Sequence, residues 1–165
     1  MGIFGKPVRP AVRLSLTPAE AGIELLALAA ILLNILLEVL FWPQLPDQVS
    51  LGAVAMGNTR MIFLFLTIVA AVVYGGTTLL GLFPRHFNYP VPITAENAPR
   101  QYRNAANMMR SVKLVVMLGM LYVEWSFIQA GLGNAWSMSP AFIPSLLIVL
   151  GITMGYFIFQ MFRLR

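Results

Sequence analysis

The chain has 165 residues, 59% of them hydrophobic and only 10% charged, with a mean hydropathy of +0.80. Soluble domains carry about 25% charged residues, so the composition excludes a water-solvated surface, and unbroken apolar runs of about 20 residues indicate an integral membrane protein. The net charge of +5 does not point to nucleic acid, because the basic residues stand at the ends of apolar runs, where membrane orientation and anionic lipid account for them.

The whole chain, 1–165, reads as a single all-α membrane domain: a bundle of four transmembrane helices with an added interfacial helix in its polar loop. The N-terminal stretch carries Lys6, Arg9 and Arg13 and reads as a tail rather than a signal peptide, since Trp42-Pro43 stands where a small-residue cleavage site belongs. Thr17-Pro18-Ala19-Glu20 predicts a helix start, with Thr17 as N-cap and Glu20 in the capping-box slot. A first span follows over about 22–42 and stops at Pro43. Residues 43–60 form a connector, and a second span covers about 61–83, ended by Pro84. A polar loop occupies 84–111, a third span about 112–132, a short uncharged turn follows, and the fourth span covers about 142–162. Each span, at about 1.5 Å per residue, crosses a hydrocarbon core of about 30 Å.

Ten of the eleven Lys and Arg residues lie in the N-terminal tail, the middle loop and the C-terminal tail; Arg60 alone lies on the other side. That asymmetry predicts both termini and the loop on the cytoplasmic face of the membrane. Trp42, Trp125 and Trp136 then fall toward the opposite face as an aromatic belt. In the loop, Pro90 and Pro92 favour extended backbone, and Thr94 or Asn97 is placed to cap a helix starting near Pro99. Along it Arg100, Arg103 and Arg110 recur at helical spacing opposite Tyr102, Ala105, Ala106 and Met109. The pattern predicts an interfacial helix with its cations, Lys113 included, toward lipid headgroups or a docked partner.

Acidic residues inside a span are functional candidates by default. Glu24 sits near the basic edge, within reach of Arg13 and the tail cations, and Glu38 near the far edge, where Arg60 is placed to pair with it. Glu124 stands eleven residues past Lys113, about 16 Å along a helix and close to the midplane. A charged carboxylate there costs about 3 kcal/mol or more, so a neutral acid is expected, hydrogen-bonded to Asn34, Gln129, Gln160 or Tyr122. Three roles stay open for it: interhelical glue, a proton-relay or ion-binding carboxylate, and contact with a partner subunit's cation or cofactor. Gly151 and Gly155 form a small-xxx-small pair suited to close packing within the bundle. With no cysteine, a single histidine (His86) and no phosphate-cradling loop or nucleophile–base set, neither a metal site, a cofactor nor an enzymatic activity is expected.

Leu45-Pro46-Asp47-Gln48-Val49 with Gly57, and above all the stretch from Asn88-Tyr89-Pro90-Val91-Pro92 through Thr94-Ala95-Glu96-Asn97-Ala98 to Arg103, carry a family resemblance. They resemble the Leu-Pro-x-x-Val…Gly and NYPVxITxENAxRQYR motifs of a bacterial membrane domain of uncharacterised function. That domain forms the N-terminal part of immunity proteins against the sporulation-delaying toxin. The resemblance covers about residues 42–115; it departs at Gly52-Ala53-Val54, where the family usually has a His-Phe-Asn/Gly run, and in having four spans without the further membrane region of the full immunity proteins. It implies a small bacterial inner-membrane protein.

The resulting expectation is a non-catalytic binding or accessory component, immunity-like or a small subunit of a larger membrane complex. Its partners would be membrane lipids and another membrane protein, not nucleic acid. The alternative is a proton-coupled carrier using Glu124. Because the chain has no cysteine, topology is testable cleanly. An Arg100→Cys variant should react with a membrane-impermeant maleimide in inverted vesicles and stay unlabelled in right-side-out cells; the opposite pattern overturns the orientation.

Overall fold

The computed structural model describes residues 9–51, 54–134 and 138–165, so Lys6, the Gly52-Ala53 pair and Trp136 lie outside the described residues. Four helices are long and apolar enough to cross a membrane: α1 (Pro18–Phe41), α2 (Thr59–Leu82), α3 (Ala98–Gly131) and α4 (Phe142–Arg163). The chain is a multi-pass membrane protein. The connector after α1 takes one 3₁₀ turn at Trp42–Gln44 and then forms a small antiparallel ribbon, β1 (Gln48–Leu51) and β2 (Val54–Asn58). Thr59 N–H donates to Asp47 O at 3.1 Å and closes its base.

Local chemistry sets the helix ends. Thr17 and Glu20 form the full capping box: Thr17 N–H donates to Glu20 Oε2 at 2.8 Å and Glu20 N–H to Thr17 Oγ1 at 3.3 Å. Asn58 caps α2 by accepting from Met61 N–H at 3.3 Å. Thr94 and Asn97 bond reciprocally one turn ahead of α3. Thr94 N–H donates to Asn97 Oδ1 at 2.9 Å and Asn97 N–H to Thr94 Oγ1 at 3.3 Å.

No separate interfacial helix precedes the third span among the described residues. From Ala98 the chain runs as one helix of 34 residues, about 51 Å long, because no proline follows Pro99 until the helix has ended. Its Tyr102–Ala105–Ala106 face is at most 1% exposed, turned into protein rather than onto headgroups.

α3 is the hub that touches α1, α2 and α4. It runs parallel to α1, with Ala30 and Ile31 packed on Met117. It runs antiparallel to α2, with Phe63 edge-on to Phe127 at 6.4 Å, inside a cluster completed by Leu45 and Ile128. α4 leans on α3 alone in substance, leaving Leu147, Ile148, Ile152 and Phe159 more than half exposed for lipid to cover. Where α4 comes closest, a Cβ on Gly119 would stand 3.2 Å from Leu146 Cδ1, and the Tyr122 and Phe142 rings lie 4.5 Å apart.

The small-residue contact expected at Gly151 and Gly155 is not the one used. Both are exposed, with nothing within 4 Å of a Cβ at either position. α4 turns its Leu146–Phe142 edge to α3, so its glycines point away from the bundle. Gly119→Leu should therefore destabilise the protein by about 1–3 kcal/mol, whereas Gly151→Leu should stay within about 0.5 kcal/mol. Equal melting temperatures for the two variants in detergent would contradict this packing.

Candidate functional site

Polar side chains gather at two levels along α3. The lower level, at the basic end, joins three helices through charge. Lys113 is 1% exposed and donates to Glu24 of α1, and to Thr78 Oγ1 of α2 at 3.0 Å. Its ammonium also lies 4.9 Å from the Tyr74 ring centre, a cation–π contact that strengthens away from water. One turn below, Arg110 Nε reaches Glu24 Oε1 at 3.4 Å, and its Nη1 lies 3.9 Å from Glu20 and donates to Asn107 Oδ1 at 2.6 Å. Arg103 approaches Glu20 at 3.7 Å and donates to Ser15 O at 3.2 Å. Glu24 is thus held by Lys113 and Arg110 on α3, and among the described residues neither Arg9 nor Arg13 pairs with it. α1 and α3 are in contact along this length, whereas the tail turns aside to cross α3 lower down.

Next to this network is a cavity of about 610 Å³ between the tail, the end of α2 and α3, with Arg13, Glu24 and Arg110 at its polar side and Leu14, Leu16 and Met109 at its apolar side. A second cleft, of about 240 Å³, is lined by Arg13, Arg100, Arg103, Pro99, Val12 and Leu14.

The loop that carries the family-like motif is tied down by its own polar groups. Tyr89 OH donates to Pro84 O at 2.8 Å, and its ring packs 5.9 Å from that of Tyr102. Burial, and then the neighbouring Tyr102 phenol, raise the pKa of Tyr89, with Arg9 acting the other way. Arg9 lies 5.4 Å from the Tyr89 ring centre and donates to Arg85 O and Phe87 O at 2.8 and 2.5 Å. Gln101, fully buried, donates to Met161 O and Leu164 O at 2.8 and 3.1 Å, and Asn104 to Phe157 O at 2.8 Å. The Gln101 amide thus satisfies carbonyls at the C-terminal end of α4 that have no partner within their own helix, and Asn104 adds a bond one turn earlier.

The five loop residues expected to dock a partner or lipid are therefore placed differently. Tyr102 and Lys113 are 1% exposed, and Arg110 is bound up with Glu20 and Glu24. Arg103 is split between Glu20 and open surface, and Arg100 faces outward. Gln101, Asn104 and Gly119 matter to the packing and were not singled out in the sequence. Polar residues facing inward on the same helix as the arginines were the available signal.

The upper level lies deeper in the bundle. Glu124 is fully buried, Asn34 2% and Glu38 6% exposed. Thr67 of α2 donates to Glu38. Arg60 instead pairs with Asp47 at 4.0 Å and lies over Trp42, so the expected Glu38–Arg60 pair does not form. The ribbon holds Arg60 at the far end, while Glu38 turns inward to α2 and α3. Of the four side chains offered for Glu124, only Asn34 faces it, and Glu38 lies within electrostatic reach. Gln129 bonds Asn134, Gln160 bonds Tyr156, and Tyr122 OH accepts from Ser139 N–H. Asn34 falls short of hydrogen-bonding geometry, leaving both its polar atoms and both Glu124 oxygens without a partner.

His86 accepts from Arg85 Nε at 3.3 Å and lies 6.1 Å from the tilted Phe83 ring, and no group of three His, Asp or Glu side chains suited to a metal occurs among the described residues. Compared with known protein families, with characterised proteins and with solved structures, the chain matches none.

The lower network carries a stability prediction. Removing one member of a buried ion pair strands the other and costs about 3 kcal/mol or more, whereas replacing both with apolar groups is close to neutral. Glu24→Leu, which leaves the buried Lys113 ammonium with only Thr78 and the Tyr74 ring, should markedly lower the melting temperature in detergent, and adding Lys113→Met should recover most of it. A double variant no better than the single one would argue against the pair.

Proposed function

We propose that the chain is a non-catalytic bacterial inner-membrane protein, with both termini and the 84–97 loop cytoplasmic, that acts as a binding or accessory component of a larger membrane assembly. The observation that carries this reading is the second cleft, where Arg13, Arg100 and Arg103 converge at the surface. Among the described residues no carboxylate pairs with Arg13, Arg85 or Arg100, although every other cation of the α3 network has an acidic partner. Exposed arginines on a braced surface suit an acidic, carboxylate-bearing segment of another protein. Arg103 ties the tail to α3, Gln101 and Asn104 tie α3 to α4, and Arg9 ties the tail to the 85–87 turn, which makes that surface pre-organised. The motif resemblance supports an immunity-like version of the role, in which the protein restrains or shields a membrane partner.

The experiment is purification of the full chain in mild detergent with identification of co-eluting proteins, wild type beside an Arg13→Ala/Arg100→Ala variant. Neither side chain makes an ion pair in the fold, so the melting temperature should hold while recovery of the partner falls about tenfold. A wild-type chain that elutes alone, or a partner retained in full by the variant, removes the docking role.

A further inference from the structure

The upper polar level is built from residues that the cytoplasmic reading leaves unused. α1 and α3 run parallel and meet where Ile31 packs on Met117. Seven residues bring a helix back to nearly the same face; seven beyond Ile31 is Glu38 and seven beyond Met117 is Glu124. Two carboxyl groups are thus brought together two turns along one helix contact, with Asn34 of α1 facing Glu124 and Thr67 of α2 donating to Glu38.

This group is not satisfied by protein alone. Asn34 Nδ2 and Oδ1 and Glu124 Oε1 and Oε2 are buried and have no hydrogen-bond partner. Buried polar atoms nearly always have one, and here four such atoms converge. The nearest cations along α2 and α3 are already committed, Lys113 to Glu24 and Arg60 to Asp47. We propose that Glu38, Glu124 and Asn34 form a binding site for one exchangeable monovalent cation, a proton or a sodium-sized ion, inside the bundle.

The donor chemistry selects that class. All the ligating atoms are hard oxygens from carboxyl, amide and hydroxyl groups, which exclude soft metals. A divalent ion takes six or more oxygens, and the described residues offer no third acidic or histidine side chain. Two neighbouring carboxylates in a low dielectric cannot both remain charged, and one bound cation leaves a single negative charge, which the Asn34 amide and Thr67 hydroxyl are placed to stabilise. The charged group facing Glu124 is Glu38 on α1; Tyr74 on α2 lies a level lower against Lys113, Tyr122 on α3 is engaged by Ser139 and Tyr156 on α4 is exposed toward the basic end, while α2 and α4 carry no charged side chain over 61–82 and 142–162.

Dicyclohexylcarbodiimide, an apolar reagent that attacks protonated carboxyl groups, probes the site in the purified full chain, with the modified residue read by mass spectrometry. Labelling of Glu124 should fall about tenfold as pH rises from about 5 to about 9. If sodium in place of a bulky organic cation also protects at constant pH, the ion is an alkali metal; if pH alone acts, it is a proton. In Glu38→Gln the protection of Glu124 by sodium or by raised pH should weaken measurably, because one of the two carboxyl groups that share the cation is gone. Glu124→Gln should abolish the label, but the wild-type and Glu38→Gln titrations decide the matter if that variant does not fold. Labelling that is absent from the folded protein, or constant across pH and sodium, means a sealed neutral acid and overturns the proposal.

Discussion

Helices in a bilayer gain little by hiding apolar surface from one another, because lipid tails are as apolar as leucine. The fold therefore depends on close packing and on the polar side chains that α3 buries among its neighbours. Gln101 and Asn104 hold α4 by its backbone carbonyls, and Lys113 joins α1 and α2 through Glu24 and Thr78. Glu124 meets the polar face of α1 higher up. Without that row, α4 in particular would be left with apolar contacts to α3 such as the Gly119 approach and the Tyr122–Phe142 ring contact.

The two polar levels differ in how they are balanced. At the basic end, Glu20 and Glu24 are answered by three cations, with the hydroxyl of Thr78 and the Tyr74 ring completing the shell around Lys113. Such a network locks the register of α1, α2 and α3. The deeper level has acids and an amide but no protein cation among the described residues; Thr67 answers Glu38, and the polar atoms of Glu124 and Asn34 are left without partners. A satisfied network braces a fold, and an unsatisfied one is poised for an occupant.

The motif-bearing loop has a similar division of labour. Thr94 and Asn97 shape the turn, Tyr89 pins it to Pro84, and Gln101 reaches across to α4. Tyr102 and Tyr89 fill the space beneath, with Arg9 lying over Tyr89. The tyrosines, Thr94, Asn97 and Gln101 of the stretch are spent on construction, while Asn88, Glu96 and Arg100 are exposed.

The four spans, their stops at Pro43 and Pro84, and the Thr17–Glu20 cap are properties of short stretches, readable because hydropathy, missing N–H groups and capping patterns act within a few residues. The grouping of the basic residues into the tails and the middle loop was equally legible. The partners of those residues were not, because they depend on which helix faces meet. Glu24 lies with Lys113, 89 positions away, only because α1 and α3 run parallel in contact, and Arg60 is drawn to Asp47 by a ribbon that brings the two strand ends together. Glu124 was visible as a lone deep acid, but its companion Glu38 emerged only from the register of α1 on α3. Gly151 and Gly155 have the spacing of a packing motif, yet Gly119 is the glycine that α4 uses, since spacing along one helix says which residues share a face and nothing about what that face meets.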